Sequence, residues 1–521
     1  MQQPRLFDVL VIGSGIAGLS TAIACAEKGL HVCVVSKADE LHESNTFYAQ
    51  GGIVESGRDD SPELLSRDII TAGCGINHKE AVQLLAQEGP KTVSSYLVEK
   101  VKIPFLKSAD GGFDRTKEGA HSVRRILHVK DATGKAVEEG LLQYAAGFKT
   151  LRFLSNHTAV DIITNSHNSR DPQERYRSTR TIGSYILNEE DGSIYAFFAP
   201  HVILAAGGAG NLFLHTSNPI GACGDGIAMA YRAGAQVINM EYIQFHPTIL
   251  YHRDKKRFLI SEALRGEGAK LCNHRGEYFM DKYNPELKEL APRDEVARAI
   301  FREMDAEGSS YVLLDARSCR VSPKERFPGI YRQCLSLGID IEKEPIPVVP
   351  AAHYCCGGIK VDTEGRTSLE GLYAVGENSC TGVHGANRLA SVSLLEALFF
   401  GIRTGEMIAD NRSDLNAALL ESIPGWVYPR EEEEAETILI HHDMKNIQST
   451  MWNYVGIIRS RKRLLRALSD LNYYSHRIHR FYDQARVSRY LIELRNAVLV
   501  ATIIARAGVS NPTSLGCHFI E

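Results

Sequence analysis

The sequence predicts an α/β protein built on a Rossmann-like sheet, with an α+β segment inserted into it and an all-α region at its C-terminal end. Three observations carry that prediction. A short apolar strand runs straight into the glycine series Gly13, Gly15 and Gly18. Two later apolar strands also run into glycine, at Ala206-Gly207-Gly208 and at Gly376-Glu377. Residues 443–507 keep a helical period with few Gly or Pro. At 521 residues the chain is too long for one compact core, so two to four domains are expected.

The elements follow in order. Leu6 to Ile12 reads as a strand, and LSTAIACAEKG reads as a helix with small residues on one face and Gly29 at its C-cap. HVCVVSK is a second buried strand, which completes a β-turn-α-β unit within about 30 residues. In such a unit Gly13 permits the turn, Gly15 opens the backbone to a pyrophosphate, and Gly18 lets helix and strand pack closely. An acidic residue should end the second strand to bind a ribose, but Ser36-Lys37 stand there and Asp39 and Glu40 come too late. That argues against a nicotinamide dinucleotide. The stretch ESNTFYAQGG, Glu43 to Gly52, has little helix or strand signal and suits a backbone passing close to a flat polar group. HVILAAGGAGN and GLYAVGENS supply two more strands, whose ends are expected at the carboxyl edge of the same sheet, where such sheets bind ligands. Residues from about 240 to 350 differ in texture and hold Arg-rich helical stretches. Composition breaks at Pro424 to Glu436 as a linker does, and its EEEE run reads as a solvated helix start.

Composition excludes several functions. With 44% hydrophobic and 23% charged residues the chain is an ordinary globular one, and its net charge of −4 provides no field to attract nucleic acid. No apolar run approaches the ~20 residues that span a bilayer, and MQQPRLFDVLVIGSG lacks a leader's charged start and cleavage pattern. Eleven scattered cysteines without a CxxC pair suit buried thiols in a reducing compartment, so the cytoplasm is expected. No metal-ligating set is assigned.

The motifs GSGIAG, NTFYAQGG, LAAGGAG, GDGIAMAYRAGA, QFHPT, EALRGEGA, PRDEVARAI, HYCCGGI, GLYAVGE and GANRLASVSLLEAL occur in that order across roughly residues 8 to 400. In this the chain resembles the fumarate reductase/succinate dehydrogenase flavoprotein family, over about four-fifths of its length. The resemblance implies an FAD-binding Rossmann-like domain at 1–238 and 352–420, an inserted α+β capping domain at 239–351 and a helical domain at 421–521. It implies FAD held by Ser14, Gly15, Ile16, Ala17, Lys37, Asn45, Thr46, Phe47, Tyr48, Ala49, Gln50, Gly51, Gly52, Val160, Asp225, Glu377, Ser393 and Leu394. Glu377 suits a sugar hydroxyl, and Gly51-Gly52 would bring backbone amides to the flavin ring. Where the membrane-complex members tether the flavin through a histidine, this chain has Asn45, so the FAD is expected to be non-covalent.

For a substrate with two carboxylates the resemblance implies Arg293, His246, His353 and Arg388 as catalytic residues, with Gln244, Ser261 and Glu262 beside them. Alone, each has a blander reading: a single His is more often a structural hydrogen-bonder, and a single Arg a surface ion-pair partner. Glu118 discriminates within the family, because its dicarboxylate members resemble one another in an uncharged amide at this position and the aspartate-oxidising members place a carboxylate there. An ammonium on the substrate wants an anion; succinate does not. The implied reaction is oxidation of L-aspartate to iminoaspartate, with fumarate or oxygen as acceptor, at the start of NAD biosynthesis and with transfer of iminoaspartate to quinolinate synthase. A fumarate reductase or succinate dehydrogenase flavoprotein, or a non-catalytic flavin-binding scaffold, are the alternatives. Family members usually carry S-R-G-x-H near the end; here Ser514-Leu515-Gly516-Cys517-His518 lacks the arginine, a departure that bears on C-terminal docking or stability and not on the chemistry near the flavin.

Overall fold

The computed structural model describes residues 5–253, 257–429 and 436–521; the Glu431 to Glu434 run read as a helix start lies outside the described residues. Five parallel strands form the central sheet, in the order Leu372–Ala374, His201–Leu204, Val9–Ile12, Val32–Val35 and Leu151–Leu154. Four of them are strands read from sequence. The fifth, Leu151–Leu154, lies at the edge and is only partly buried, so it lacks the continuous apolar run that marks its neighbours. The predicted Leu6 to Ile12 strand is divided. Arg5–Leu6 pairs with Ile194–Phe198 in a separate four-stranded sheet, and the central sheet starts at Val9. Asp8 marks the break, its carboxylate accepting the His31 N–H at 2.7 Å.

The helix Ile16–Glu27 follows the first central strand, and nearly every residue in it is buried. Gly18 is required by contact distance: a Cβ there would stand 2.1 Å from the Gly13 carbonyl oxygen. The helix lies against Val392–Asp410, a second long buried helix, so the nucleotide-side turn and the end of the Arg388 loop share one support.

The inserted segment is α+β. Its antiparallel sheet has the order Ile243–Leu250, Ile346–Cys355, Val312–Asp315 and Lys270–Cys272, and the helix Arg293–Glu307 packs on it. Three helices, Thr437–Val455, Arg461–Gln484 and Arg489–Ser510, make up the C-terminal region. Pro424 and Trp426 are fastened to the sheet beside them: Tyr185 donates its hydroxyl to the Pro424 carbonyl at 2.9 Å and packs its ring edge-on against Trp426. The Ser514-Leu515-Gly516-Cys517-His518 segment, which has no arginine of its own, is docked by other groups. Leu515 packs on Tyr242, Tyr354, Cys356 and Ala386, the Cys517 N–H bonds the Ala386 carbonyl at 3.0 Å, and Arg298 donates to the Gly516 carbonyl at 3.1 Å. The fully buried Arg459 pairs with His518 Nδ1 at 2.7 Å. No helix among the described residues is long and apolar enough to cross a membrane.

Gly18→Ala is expected to destabilise the fold by about 1–3 kcal/mol, because the added methyl overpacks a backbone contact that has no side chain to yield; thermal melting of the variant beside the parent measures it.

Candidate active site

A cavity of about 840 Å³ opens along the carboxyl ends of the central strands. That is within the ~300–1,000 Å³ typical of cofactor and ligand pockets. Its wall begins at Gly13 to Ala17, where the Ile16–Glu27 helix has no side-chain cap. The uncapped first turn, with its positive dipole end, suits a pyrophosphate. The Ile16 N–H is already taken by Thr46 Oγ1 at 3.1 Å, which pins the 43–52 loop to the turn.

Farther along, Asn45 Nδ2 donates to Glu377 Oε2 at 2.9 Å, and Glu377 Oε1 accepts the Cys355 N–H at 3.0 Å. Burial raises the Glu377 carboxyl to about 7, against the lowering effect of these bonds. The Asn45 and Gln50 side-chain oxygens are buried without a protein partner, and both residues line the cavity. Unpaired acceptors beside apolar wall are what a flat ring with an N–H edge requires, so the residues present fit a flavin.

The Gly52 N–H donates to Ser391 Oγ at 3.3 Å, and a Cβ on Gly52 would stand 2.2 Å from the Leu127 carbonyl. The glycine therefore serves a close backbone contact with strand Ile126–Leu127. Lys37 bonds Asp225, Glu493 at 2.7 Å and the Gly221 carbonyl at 2.7 Å. Burial alone would lower its pKa, but the two carboxylates outweigh it and raise it.

Beside the cavity lies a buried polar cluster assembled from six chain segments. Gln244 and His246 stand on Ile243–Leu250, His353 on Ile346–Cys355, Arg293 at the start of its helix, and Glu262 on the short helix Glu262–Gly266. Arg388 and Glu118 come from loops. The two strands are out of simple register here: Gln244 pairs with Tyr354 and Phe245 with Ala352, leaving His353 as the bulged residue. The bulge re-aims its side chain, and the His246 and His353 rings meet at 5.2 Å.

Gln244 organises the arginines. Its Oε1 accepts from Arg293 Nη1 and from Arg388 Nε, each at 3.2 Å, while its Nε2 donates to Asn387 Oδ1 at 2.7 Å and the Arg388 carbonyl at 2.8 Å. Arg293 Nε donates to Glu262 at 2.7 Å; Arg388 bonds Ser393 and stacks 4.5 Å over the Tyr354 ring. Burial would raise Glu262, yet Arg293 and Arg265 hold it down at about 2. Burial and the neighbouring arginines depress both histidines well below their ordinary value, so each is neutral. His246 Nδ1 accepts the Thr248 N–H at 3.2 Å, which puts its own hydrogen on Nε2. His353 Nδ1 is 2.6 Å from the Ser217 hydroxyl. Glu118 bonds Ser391 Oγ at 2.7 Å; burial and then Glu262 raise its pKa.

Of the residues assigned from sequence, Ser14 to Ala17, Lys37, Asn45, Thr46, Tyr48, Ala49, Gln50, Asp225, Glu377, Ser393 and Leu394 line the cavity, as do His353 and Arg388. Phe47 packs on His42, at 4.5 Å between rings. The Val160 carbonyl is taken by Arg232 and Arg495, at a shift in strand register. Ser261 caps the Glu262–Gly266 helix through the Ala263 N–H. Sequence reasoning missed Arg265, Ser217 and Ser391. Arg265 sits within the EALRGEGA motif three residues from Glu262, a helical spacing that could have found it; Ser391 has a left-handed φ of 57°, which no pattern announces.

A family model described as an FAD binding domain matches residues 8–394. The L-aspartate oxidase of Acinetobacter baylyi is 44% identical over 516 residues, covering 98% of this chain and 93% of that protein. The chain belongs to the L-aspartate oxidase family. Another member, the L-aspartate oxidase of Pseudomonas aeruginosa, is 44% identical and covers 100% of this chain and 96% of its own length. Among solved structures, an E. coli quinol fumarate reductase FrdA variant superposes on 100% of this chain and 92% of its own, with a TM-score of 0.88 at 27% identity.

In this member of the L-aspartate oxidase family the Ser44–Gly52 stretch contains no histidine, and the Asn45 amide is spent on Glu377. Acid precipitation of the purified protein is therefore expected to release its FAD into the supernatant; flavin absorbance staying with the pellet would show a tether that Asn45 cannot form.

Proposed function

We propose that the chain oxidises L-aspartate to iminoaspartate, with fumarate or oxygen as terminal acceptor, in the cytoplasm and at the start of NAD biosynthesis. One observation carries the choice of substrate: with Glu262 paired to Arg293, a second carboxylate, Glu118, hydrogen-bonded to Ser391, stands in a cluster otherwise dominated by Arg293, Arg388 and Arg265. Two carboxylates on a substrate answer the arginines, and an ammonium answers Glu118. Bound FAD supplies the two-electron acceptor.

The protein's own contribution is position and charge. Arg388, with its Nε on Gln244 and one Nη1 hydrogen on Ser393, offers its remaining Nη hydrogens to one carboxylate. His246 donates through Nε2–H, and His353, braced by Ser217, adds a second imidazole beside it. Neutral histidines hydrogen-bond the substrate without adding charge to a site already rich in it. Glu118, fixed by Ser391, orients the amino group and so aims the Cα–H. Alignment of this kind is worth on the order of 7–11 kcal/mol. The Arg293 guanidinium steadies charge during aspartate oxidation. Its bond to Glu262 would serve a proton delivered to fumarate in the reverse sense. Iminoaspartate hydrolyses in water, which favours prompt transfer to a quinolinate synthase.

Fumarate reduction is the second reading, favoured by the Arg293–Glu262 contact, and one variant separates the two. Glu118→Gln is expected to lower kcat/KM for L-aspartate by roughly 10- to 100-fold, the worth of a charge-assisted hydrogen bond, and to affect fumarate reduction far less. Because the Glu118 pKa is raised, its anion is lost as pH falls through a value above the ordinary ~4.3 of glutamate. The parent should show that acid limb in kcat/KM for L-aspartate, and Glu118→Gln should lack it. Equal losses with both substrates, or an unchanged limb, would remove Glu118 from substrate selection.

A further inference from the structure

The strand Val32–Val35 ends in Ser36-Lys37, where a dinucleotide fold ordinarily presents an acid to the nucleoside ribose. The structure brings acids there from elsewhere. Lys37 gathers Asp225, from the helix Asp225–Ala233, and Glu493, from the last helix, and Asn496 holds Asp225 Oδ1 at 2.8 Å. Arg489 sits one turn before Glu493, donates through Nη1 to the Lys37 carbonyl at 2.7 Å, and pairs with Glu493 at 3.2 Å. The end of the nucleotide-binding strand is thus held directly by a helix more than 450 residues away.

The same helix also reaches the cavity. Arg489, Tyr490 and, from the helix Thr437–Val455, His441 are part of its wall, on the side where the ribose strand ends. Tyr490 is 51% exposed although aromatic, with the Arg489 guanidinium 6.0 Å from its ring and the His441 ring at 6.3 Å. An exposed aromatic surface with a neighbouring cation, at the nucleoside end of a dinucleotide cavity, has the chemistry that takes the face of a purine.

We propose that the start of the Arg489–Ser510 helix forms the adenosine wall of the FAD site, with Tyr490 covering the base, Arg489 toward the diphosphate and Glu493, behind the wall, fixing Arg489 and Lys37 in place. The inference rests on the flavoprotein reading above and adds the C-terminal region to the cofactor site, to which sequence assigned none of it. Two consequences follow. FAD binding fastens the last helix to the Rossmann-like sheet, and the adenosine half of the cofactor carries that coupling.

The test measures FAD affinity of the apoprotein by flavin fluorescence, with ADP, which is the adenosine diphosphate half alone, as a displacing ligand. Tyr490→Ala is expected to raise the FAD dissociation constant by about 10-fold and to weaken ADP by a similar factor, with Tyr490→Phe restoring both. Tyr490 is half exposed, so the melting temperature of the apoprotein should not change. Unchanged FAD affinity in Tyr490→Ala overturns the proposal, as does a loss for FAD that ADP does not share, or an ADP that fails to displace FAD from the parent. A parent apoprotein that binds no FAD at all would instead overturn the flavoprotein reading.

Discussion

Two buried guanidinium groups, Arg293 and Arg388, are held on one amide oxygen, that of Gln244. Arg265, fully buried, stands behind them with its side chain 3.9 Å from Glu262. Concentrating positive charge in a place water cannot screen costs several kcal/mol unless anions answer it. Much of the site can be read as that answer. Glu262 stays ionised, the histidines stay neutral, and with Glu118 as its anion the three arginines keep one positive charge, which a substrate with two carboxylates and one ammonium balances. The bulge at His353 and the stacking of Arg388 on Tyr354 belong to the same arrangement, since both fix groups that would otherwise move apart.

The 43–52 loop and the polar cluster share the Ser391 hydroxyl. Ser391 accepts from the Gly52 N–H of that loop and donates to the Glu118 carboxylate. A shift in the 43–52 loop therefore reaches the residue proposed to select the amino substrate, and a change at Glu118 reaches the loop. The 43–52 loop and Glu118 are joined over two hydrogen bonds.

Much of this was legible in the sequence because it depends on local rules. The glycine turn, the continuous apolar strands and the helical C-terminal period each carry their own signal, and the structure places them as read. The edge strand Leu151–Leu154 was not legible, because half-buried edges lose the apolar run. The division at Asp8 was missed because it turns on one hydrogen bond to His31. For the site, residue type alone left His246, His353, Arg293 and Arg388 with blander readings, and the ordered motifs of the family singled them out. What neither route offered was non-local: the bulge at His353, the Ser391 link, and the acids delivered to Lys37 from Asp225 and Glu493.

The docking of residues 515–518 has a consequence for how the protein is made. Cys517 holds the carbonyl of Ala386, two residues before Arg388, and Arg298 crosses from the inserted segment to Gly516. A chain emerging from the ribosome completes its sheet, its inserted segment and its loops before this clasp exists. Domains fold as units in the order of synthesis, and contacts between distant segments come last. The loop that carries Arg388 is thus steadied only after residues 515–518 have been made, long after the sheet and the inserted segment.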